Sequence, residues 1–185
     1  MFFDKDRILE HLDMLNQAIK DKYPDSKIYI ILIGASSLLI KHSLQRATYD
    51  IDITDSGITR LIGIGGMLQN LGFHVVSEVL VNFHPDYVDR LEMVSNKEKI
   101  SILSIHPYDI AITKIGRGLQ KDFDDLIESD ILSKIDIPRL DDLYQEASSY
   151  WIGDPENFSR NWERFIDHVH QRRPDLPTQE GNPKP

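Results

Sequence analysis

Asp50 and Asp52 flank a single isoleucine in the run Arg46-Ala47-Thr48-Tyr49-Asp50-Ile51-Asp52-Ile53. On a β-strand, alternate side chains share a face, so the two carboxylates point the same way. Side by side they repel each other, and a divalent cation between them relieves the repulsion by taking their oxygens as ligands. Upstream, Ile33-Gly34-Ala35-Ser36-Ser37 reads as a small-residue turn that opens a helix. The first N–H groups of a helix have no partner within it and suit a phosphate. A phosphate cradle beside a dicarboxylate metal site is equipment for phosphoryl or nucleotidyl transfer. Plainer readings exist for the same residues. The acids can be solvated at a strand end, Gly34 can serve only a turn, and Ser36 can cap its own helix. Arg46 is either a surface residue or a structural partner of Asp50 or Asp52.

Other side chains invite the same comparison. Lys114, Arg117 and Lys121 are spaced by three and four, which on one continuous helix makes a cationic stripe. Gly116 and Gly118 lie between them and predict a bend, with Lys114 ending one helix favourably for its dipole. That lysine then either meets phosphates or is a solvated helix-end charge. Asp122 reads as a charge at a helix N-terminus. His42, His74, His84 and His106 show no metal-ligand spacing and read as structural or surface residues. Arg164 and His170 resemble the loose Arg…His spacing of HEPN ribonucleases, a short pattern that arises often by chance. Trp151, Phe158, Trp162 and Phe165 read as core of the last helices.

The elements that must position these groups follow from periodicity. Ile8, Leu9, Leu12, Leu15 and Ile19 have helical spacing, stopped by Tyr23-Pro24-Asp25. The apolar run from Lys27 to Ile33 suits a strand buried on both faces. A helix from Ser36 and a strand over Asp50–Thr54 follow. A glycine-weakened helix is expected over Ile58–Leu71, and a strand over Phe73–Val81. A hairpin of Tyr87–Val94 with Ile100–Ile105 is expected next. From Pro107 the pattern turns helical, with segments over 107–116, 121–132, 138–150 and 157–171. The Pro- and Gly-rich end from Arg173 reads as disordered. These patterns predict a mixed-sheet α/β half followed by a helical half.

Bulk composition narrows the function classes. With 185 residues the chain has room for one domain and a small extension. Its formal charge of −9 argues against a broad nucleic-acid-binding surface. There is no cysteine, so disulfides and thiolate zinc sites are excluded and a cytoplasmic setting is compatible. Acids follow the N-terminal Met1-Phe2-Phe3 where the apolar core of a signal peptide would lie, and no apolar run reaches the ~20 residues of a membrane helix.

The Gly-Ala-Ser-Ser turn, the Arg-Ala-Thr-Tyr-Asp-Ile-Asp block, the segment Pro107-Tyr108-Asp109-Ile110-Ala111-Ile112-Thr113-Lys114 and the later Lys121-Asp122-Phe123-Asp124-Asp125 together resemble the nucleotidyltransferase superfamily over residues 28 to 132. The nearest likeness is to the branch that contains AbiEii-type toxins and related bacterial proteins of unassigned function. The resemblance implies an α/β (α+β) nucleotidyltransferase-like mixed sheet flanked by helices. It would span residues 1–135, with a C-terminal helical extension over 136–173 and a tail over 174–185. It implies magnesium, or alternatively manganese, on Asp50 and Asp52, with Glu92 or Asp89 as a third carboxylate or base. It implies substrate contacts from Gly34, Ser36, Ser37, Arg46, Lys114, Arg117 and Lys121. The implied reaction moves a nucleoside monophosphate from a nucleoside triphosphate to an RNA or protein hydroxyl, in a toxin–antitoxin setting with a protein partner encoded nearby. The alternative is a catalytically inactive binding or regulatory module of the same fold. The family's turn is usually Gly-Gly or Gly-Ser, and Ala35 departs from it, since alanine resists positive φ.

Overall fold

The computed structural model describes residues 2–54, 61–81 and 83–174. Its centre is β1 (Ile28–Leu32), whose apolar run lies in the middle of a five-stranded mixed sheet of order β3-β2-β1-β5-β4. β1 is parallel to β5 (Ile100–Ser104) and antiparallel to β2 (Ile51–Thr54). β2 is in turn parallel to β3 (Phe73–Val76), and β4 (Glu92–Asn96) closes the other edge antiparallel to β5. Ile28, Ile30, Ile31 and Leu32 are buried, as a strand covered on both faces requires, while Tyr29 between them is exposed.

Helices cover this sheet. α1 (Lys5–Lys22) is capped by the Asp4 carboxylate, which accepts from Arg7 N–H, and buries Ile8, Leu12, Leu15 and Ile19 as its spacing requires. α2 (Gly34–Lys41) follows β1 directly. α5 (Pro107–Arg117) has Pro107 in its first turn and is buried at every position from Asp109 to Gly116. A helix buried all round is the hub on which others pack. α6 (Gln120–Glu128), α7 (Ile137–Ser148) and α8 (Pro155–Arg172) all pack against it. The aromatic residues of the extension form that contact. Phe158 stacks on Tyr144 at 3.8 Å, and the Tyr144 hydroxyl donates to the Phe158 carbonyl.

Several boundaries differ from the periodicity for identifiable reasons. The third strand stops at Val76, because Ser77 and Glu78, suited to a helix start, interrupt the apolar run and Glu78–Val81 forms a short helix, α4. α3 (Ile64–Asn70) begins only after Gly63, and the expected helix residues before Leu61 lie outside the described residues. Tyr87–Arg90 is a 3-10 turn rather than strand, held by Arg90, whose guanidinium donates twice to the buried Asp109. α6 ends at Glu128, and a separate 3-10 turn covers Ile131–Ser133. α5 does not bend at Gly116. It runs through to Arg117, and Gly118 caps it, while a Cβ at Gly116 would strike Trp151 and Phe158. Gly116 is there for close packing, not for a hinge. The tail from residue 175 lies outside the described residues. Among the described residues, no helix is long and apolar enough to cross a membrane.

His42, just past α2, is 1% exposed. Burial, with the Lys134 ammonium 3.4 Å from its Nδ1, pushes its pKa down to about 4 against the opposing pull of Asp130 and Glu92. The unfolded chain therefore binds the proton first as pH falls, near the usual ~6.5. The stabilisation is complete above that value and is lost between it and the folded value. Urea unfolding is expected to show stability about 2 kcal/mol lower at pH 5 than at pH 7 from this residue. His42→Gln should remove most of that difference.

Candidate functional site

The site is built where β1 ends and α2 begins. Gly34 has φ +57°, the only positive φ in the turn, so Ala35 sits in ordinary helical conformation and its methyl costs nothing. A Cβ added at Gly34 would lie 3.3 Å from Asp52 Oδ2. The glycine is thus required both for its backbone angle and for the approach of the aspartate. The helix start itself carries no side-chain cap, which leaves its first N–H groups free of that competition.

Ser36 and Ser37 are buried, and their hydroxyls do not face solvent. Asp52 N–H donates to Ser36 Oγ at 3.0 Å, and that hydroxyl lies 3.5 Å from the Asp50 carbonyl. Ser36 therefore fastens the start of α2 to the strand that carries both acids. Ser37 donates to Ser104 Oγ, which itself donates to the Ile105 carbonyl. Neither hydroxyl is left for a phosphate. Both are positioning groups, in place of the phosphate contacts expected of them.

Asp50 and Asp52 share one side, and β3 brings a third group to them. Strand pairing puts Asp52 opposite His74, whose Nδ1 lies 3.0 Å from Asp52 Oδ1. Oxygen or nitrogen atoms of Asp50, Asp52 and His74 all lie within 4.8 Å of one another, so this group could hold a metal ion. Burial, reinforced by the charge of Asp50, raises the Asp52 carboxyl above the usual range despite the His74 hydrogen bond and the nearby Arg117. The raised carboxyl reflects chiefly its removal from water, with the Asp50 charge a smaller contribution in the same direction.

Spacing along the chain does not point to His74, which lies 22 positions downstream of its partner. A signal was present. Phe73-His74-Val75 repeats the polar-between-apolar form of Ile51-Asp52-Ile53.

Glu92 and Asp89 do not take that place. α2 runs across the strand ends, with Gly34 against Asp52 of β2, Ser37 against Ser104 of β5, and Lys41 against Glu92 of β4. Lys41 Nζ pairs with Glu92 Oε2 at 2.9 Å. Glu92 therefore pairs at the far end of α2 from Gly34, seven residues along the helix. Asp89 is an exposed residue of the 3-10 turn before β4. Among the described residues, the metal-ligating group contains neither.

Lys114 is also displaced from its expected role. Its side chain is 2% exposed, and Nζ lies 2.9 Å from Asp122 Oδ1 and 2.7 Å from Asp125 Oδ2. α6 turns back on the end of α5 and sets both acids over it. Arg117 donates to Asp122 through Nε and Nη2. Arg46, from the loop before β2, pairs with Asp125 and not with Asp50 or Asp52. Burial alone would raise the Asp122 carboxyl, but the charges and hydrogen bonds of Lys114 and Arg117 outweigh it and hold it below the usual range. The result is an alternating chain of charges, Arg46–Asp125–Lys114–Asp122–Arg117, with arginines half-exposed at both ends and a buried lysine between. Lys121 is exposed on α6. Arg164 donates to the Gly118 carbonyl and to Asn161, which gives it a structural task.

Residues 9–170 match a family described as "Nucleotidyltransferase of unknown function (DUF6036)". No curated protein and no solved structure matches the chain.

Truncating Lys114 leaves two buried carboxylates sharing only the outer arginines. Lys114→Met is expected to cost about 3 kcal/mol in urea unfolding, within the range for a broken buried ion pair. A folded variant of near wild-type stability that had lost only triphosphate affinity would restore the phosphate-binding role.

Proposed function

The chain belongs to this nucleotidyltransferase family, and from that premise we propose that it is a divalent-metal-dependent enzyme moving a nucleoside monophosphate from a nucleoside triphosphate to a hydroxyl of an RNA or a protein. The observation that carries the reading is the convergence of Asp50, Asp52 and His74 within 4.8 Å at the turn where Gly34 opens α2. Carboxylates and an imidazole, partly open to solvent, form a donor set that fits a divalent ion. Bound there, the ion would polarise the phosphoryl oxygens and offset charge on the leaving pyrophosphate.

The remaining work belongs to the chain. Asp50 and Asp52 hold the metal. The first N–H groups of α2 meet phosphate oxygens, and Gly34 lets them approach. Ser36 keeps the aspartate strand in register with that turn. Arg117, close enough to bias the Asp52 carboxyl, and the exposed Lys121 supply positive charge at the rim, and Arg46 fixes the loop leading into β2. The acceptor hydroxyl displaces pyrophosphate at the α-phosphorus. What supports a toxin–antitoxin setting, with a partner encoded nearby, is the resemblance of the motif blocks to AbiEii-type toxins. A cytoplasmic setting agrees with the cysteine-free composition. The division at residue 135 into a nucleotidyltransferase-like domain and a helical extension belongs to the same reading, with α7 and α8 seated on α5.

One observation favours a second reading. The described residues place no third carboxylate beside the pair, which suits a module that binds a triphosphate without transferring it.

Incubation with α-labelled triphosphates, a divalent salt and total cellular RNA or protein tests both. Wild type is expected to transfer label, and Asp50→Asn or Asp52→Asn to lower transfer at least ~100-fold at unchanged unfolding midpoints. Equal transfer by the variants overturns the role of the aspartates. Binding of triphosphate without any transfer selects the module.

A further inference from the structure

We propose that His74 is the third protein ligand of this metal and that its nitrogen makes the site select manganese over magnesium. The inference rests on the proposed metal role of Asp50 and Asp52 and adds what the third donor does to it. β3 lies next to β2 in parallel pairing, and Asp52 faces His74 across the ladder. A residue in that register is the one the sheet can bring to the aspartates from this side.

The spacing fits shared coordination. His74 Nδ1 and Asp52 Oδ1 are 3.0 Å apart. Two neighbouring donors on an octahedron with bonds of about 2.1 Å are separated by about 3.0 Å. The same distance also describes a simple hydrogen bond, so the test must separate the two. Exposure favours a ligand. The His74 side chain is 61% exposed and that of Asp52 26%. Neither is sealed into the core, and the α2 turn at Gly34 lies against Asp52, so an ion held there would be within reach of triphosphate oxygens at that turn.

The donor chemistry then decides the ion. Magnesium demands oxygen ligands in near-ideal octahedral geometry and keeps its waters. Imidazole suits first-row transition metals, while carboxylate, water and phosphate oxygens also suit manganese. Two carboxylates, one imidazole and open positions for oxygens form a mixed set that manganese accepts and magnesium resists.

Pulsed electron paramagnetic resonance on the manganese-loaded protein reads the nitrogen directly. Wild type is expected to show nitrogen modulation that disappears in His74→Asp while manganese still binds. Titrating magnesium against bound manganese should displace it at roughly tenfold lower concentration in His74→Asp than in wild type. Manganese bound without nitrogen modulation, or an unchanged displacement ratio, overturns the role of His74 and leaves the aspartate site standing. Manganese affinity indifferent to Asp50→Asn and Asp52→Asn overturns the aspartate site itself, and this inference with it.

Discussion

Two like charges held side by side by the backbone are the constraint on which this end of the molecule depends. Asp52 is fixed by the β2 register, and Asp50, in the bend just before the strand, brings its carboxylate within 4.8 Å of the same group. Burial first, and the neighbouring Asp50 charge second among the raising causes, push the Asp52 carboxyl toward protonation. The surroundings maintain the pair instead of relieving it. Ser36 ties the Asp52 amide to α2, and Gly34 brings the helix start against the Asp52 carboxylate. Such an arrangement costs stability in the free protein, and a cation bound there on the proposed reading would offset that cost.

Positive charge is handled in the opposite way. Lys114 is buried between Asp122 and Asp125, and each acid is paired again with an arginine that reaches the surface. Burying this lysine would be costly without both carboxylates, and burying the carboxylates would be costly without the outer arginines. The chain of pairs therefore stands or falls together. It also has a geometric consequence. One end is Arg46 on the loop that leads to Asp50, and the other is Arg117 at the end of the central helix α5. The loop before the aspartates is thus bound to the same buried network as the helices that carry the extension, and a second tie, the Phe3–Thr48 backbone bridge, holds the loop from the N-terminal side. A rigid frame around a strained pair is what preorganisation requires.

What could be read from the sequence was what depended on neighbours in the chain. β1, the glycine turn and the Pro107 helix start are set by alternation, by a single backbone angle, or by a missing N–H; the strand expected from Asp50 begins at Ile51, and the nearness of the two aspartates comes from the bend before it. Lys114, Glu92 and His74 were assigned otherwise, and each for a reason of tertiary geometry. The residues around Lys114 suggest a helix end in water, and only the return of α6 over α5 makes that end an interior. Glu92 lies at the correct end of the sheet, but the strand order β3-β2-β1-β5-β4 puts two strands between it and the pair. His74 has no ligand spacing along the chain because its spacing runs across a parallel ladder. Ser36 and Ser37 were correctly placed at the helix start, yet their hydroxyls turn inward to β2 and β5.

The character of the third donor sets the charge of the site. Two aspartates and a carboxylate would present three negative charges, whereas two aspartates and a neutral imidazole present two. A single divalent ion then brings the ligand set to neutrality before any triphosphate arrives. In a chain of formal charge −9 this matters, since on the proposed reading a triphosphate must approach an acidic protein. Local cation surplus is modest, because Lys114 and much of Arg46 and Arg117 are already committed to Asp122 and Asp125. A site that is neutral when loaded, beside helix N–H groups and the rim charge of Arg117, offers the phosphates attraction that the whole-molecule field does not. An imidazole ligand at that position would thus offset, on the proposed reading, the cations that the fold has drawn into its interior.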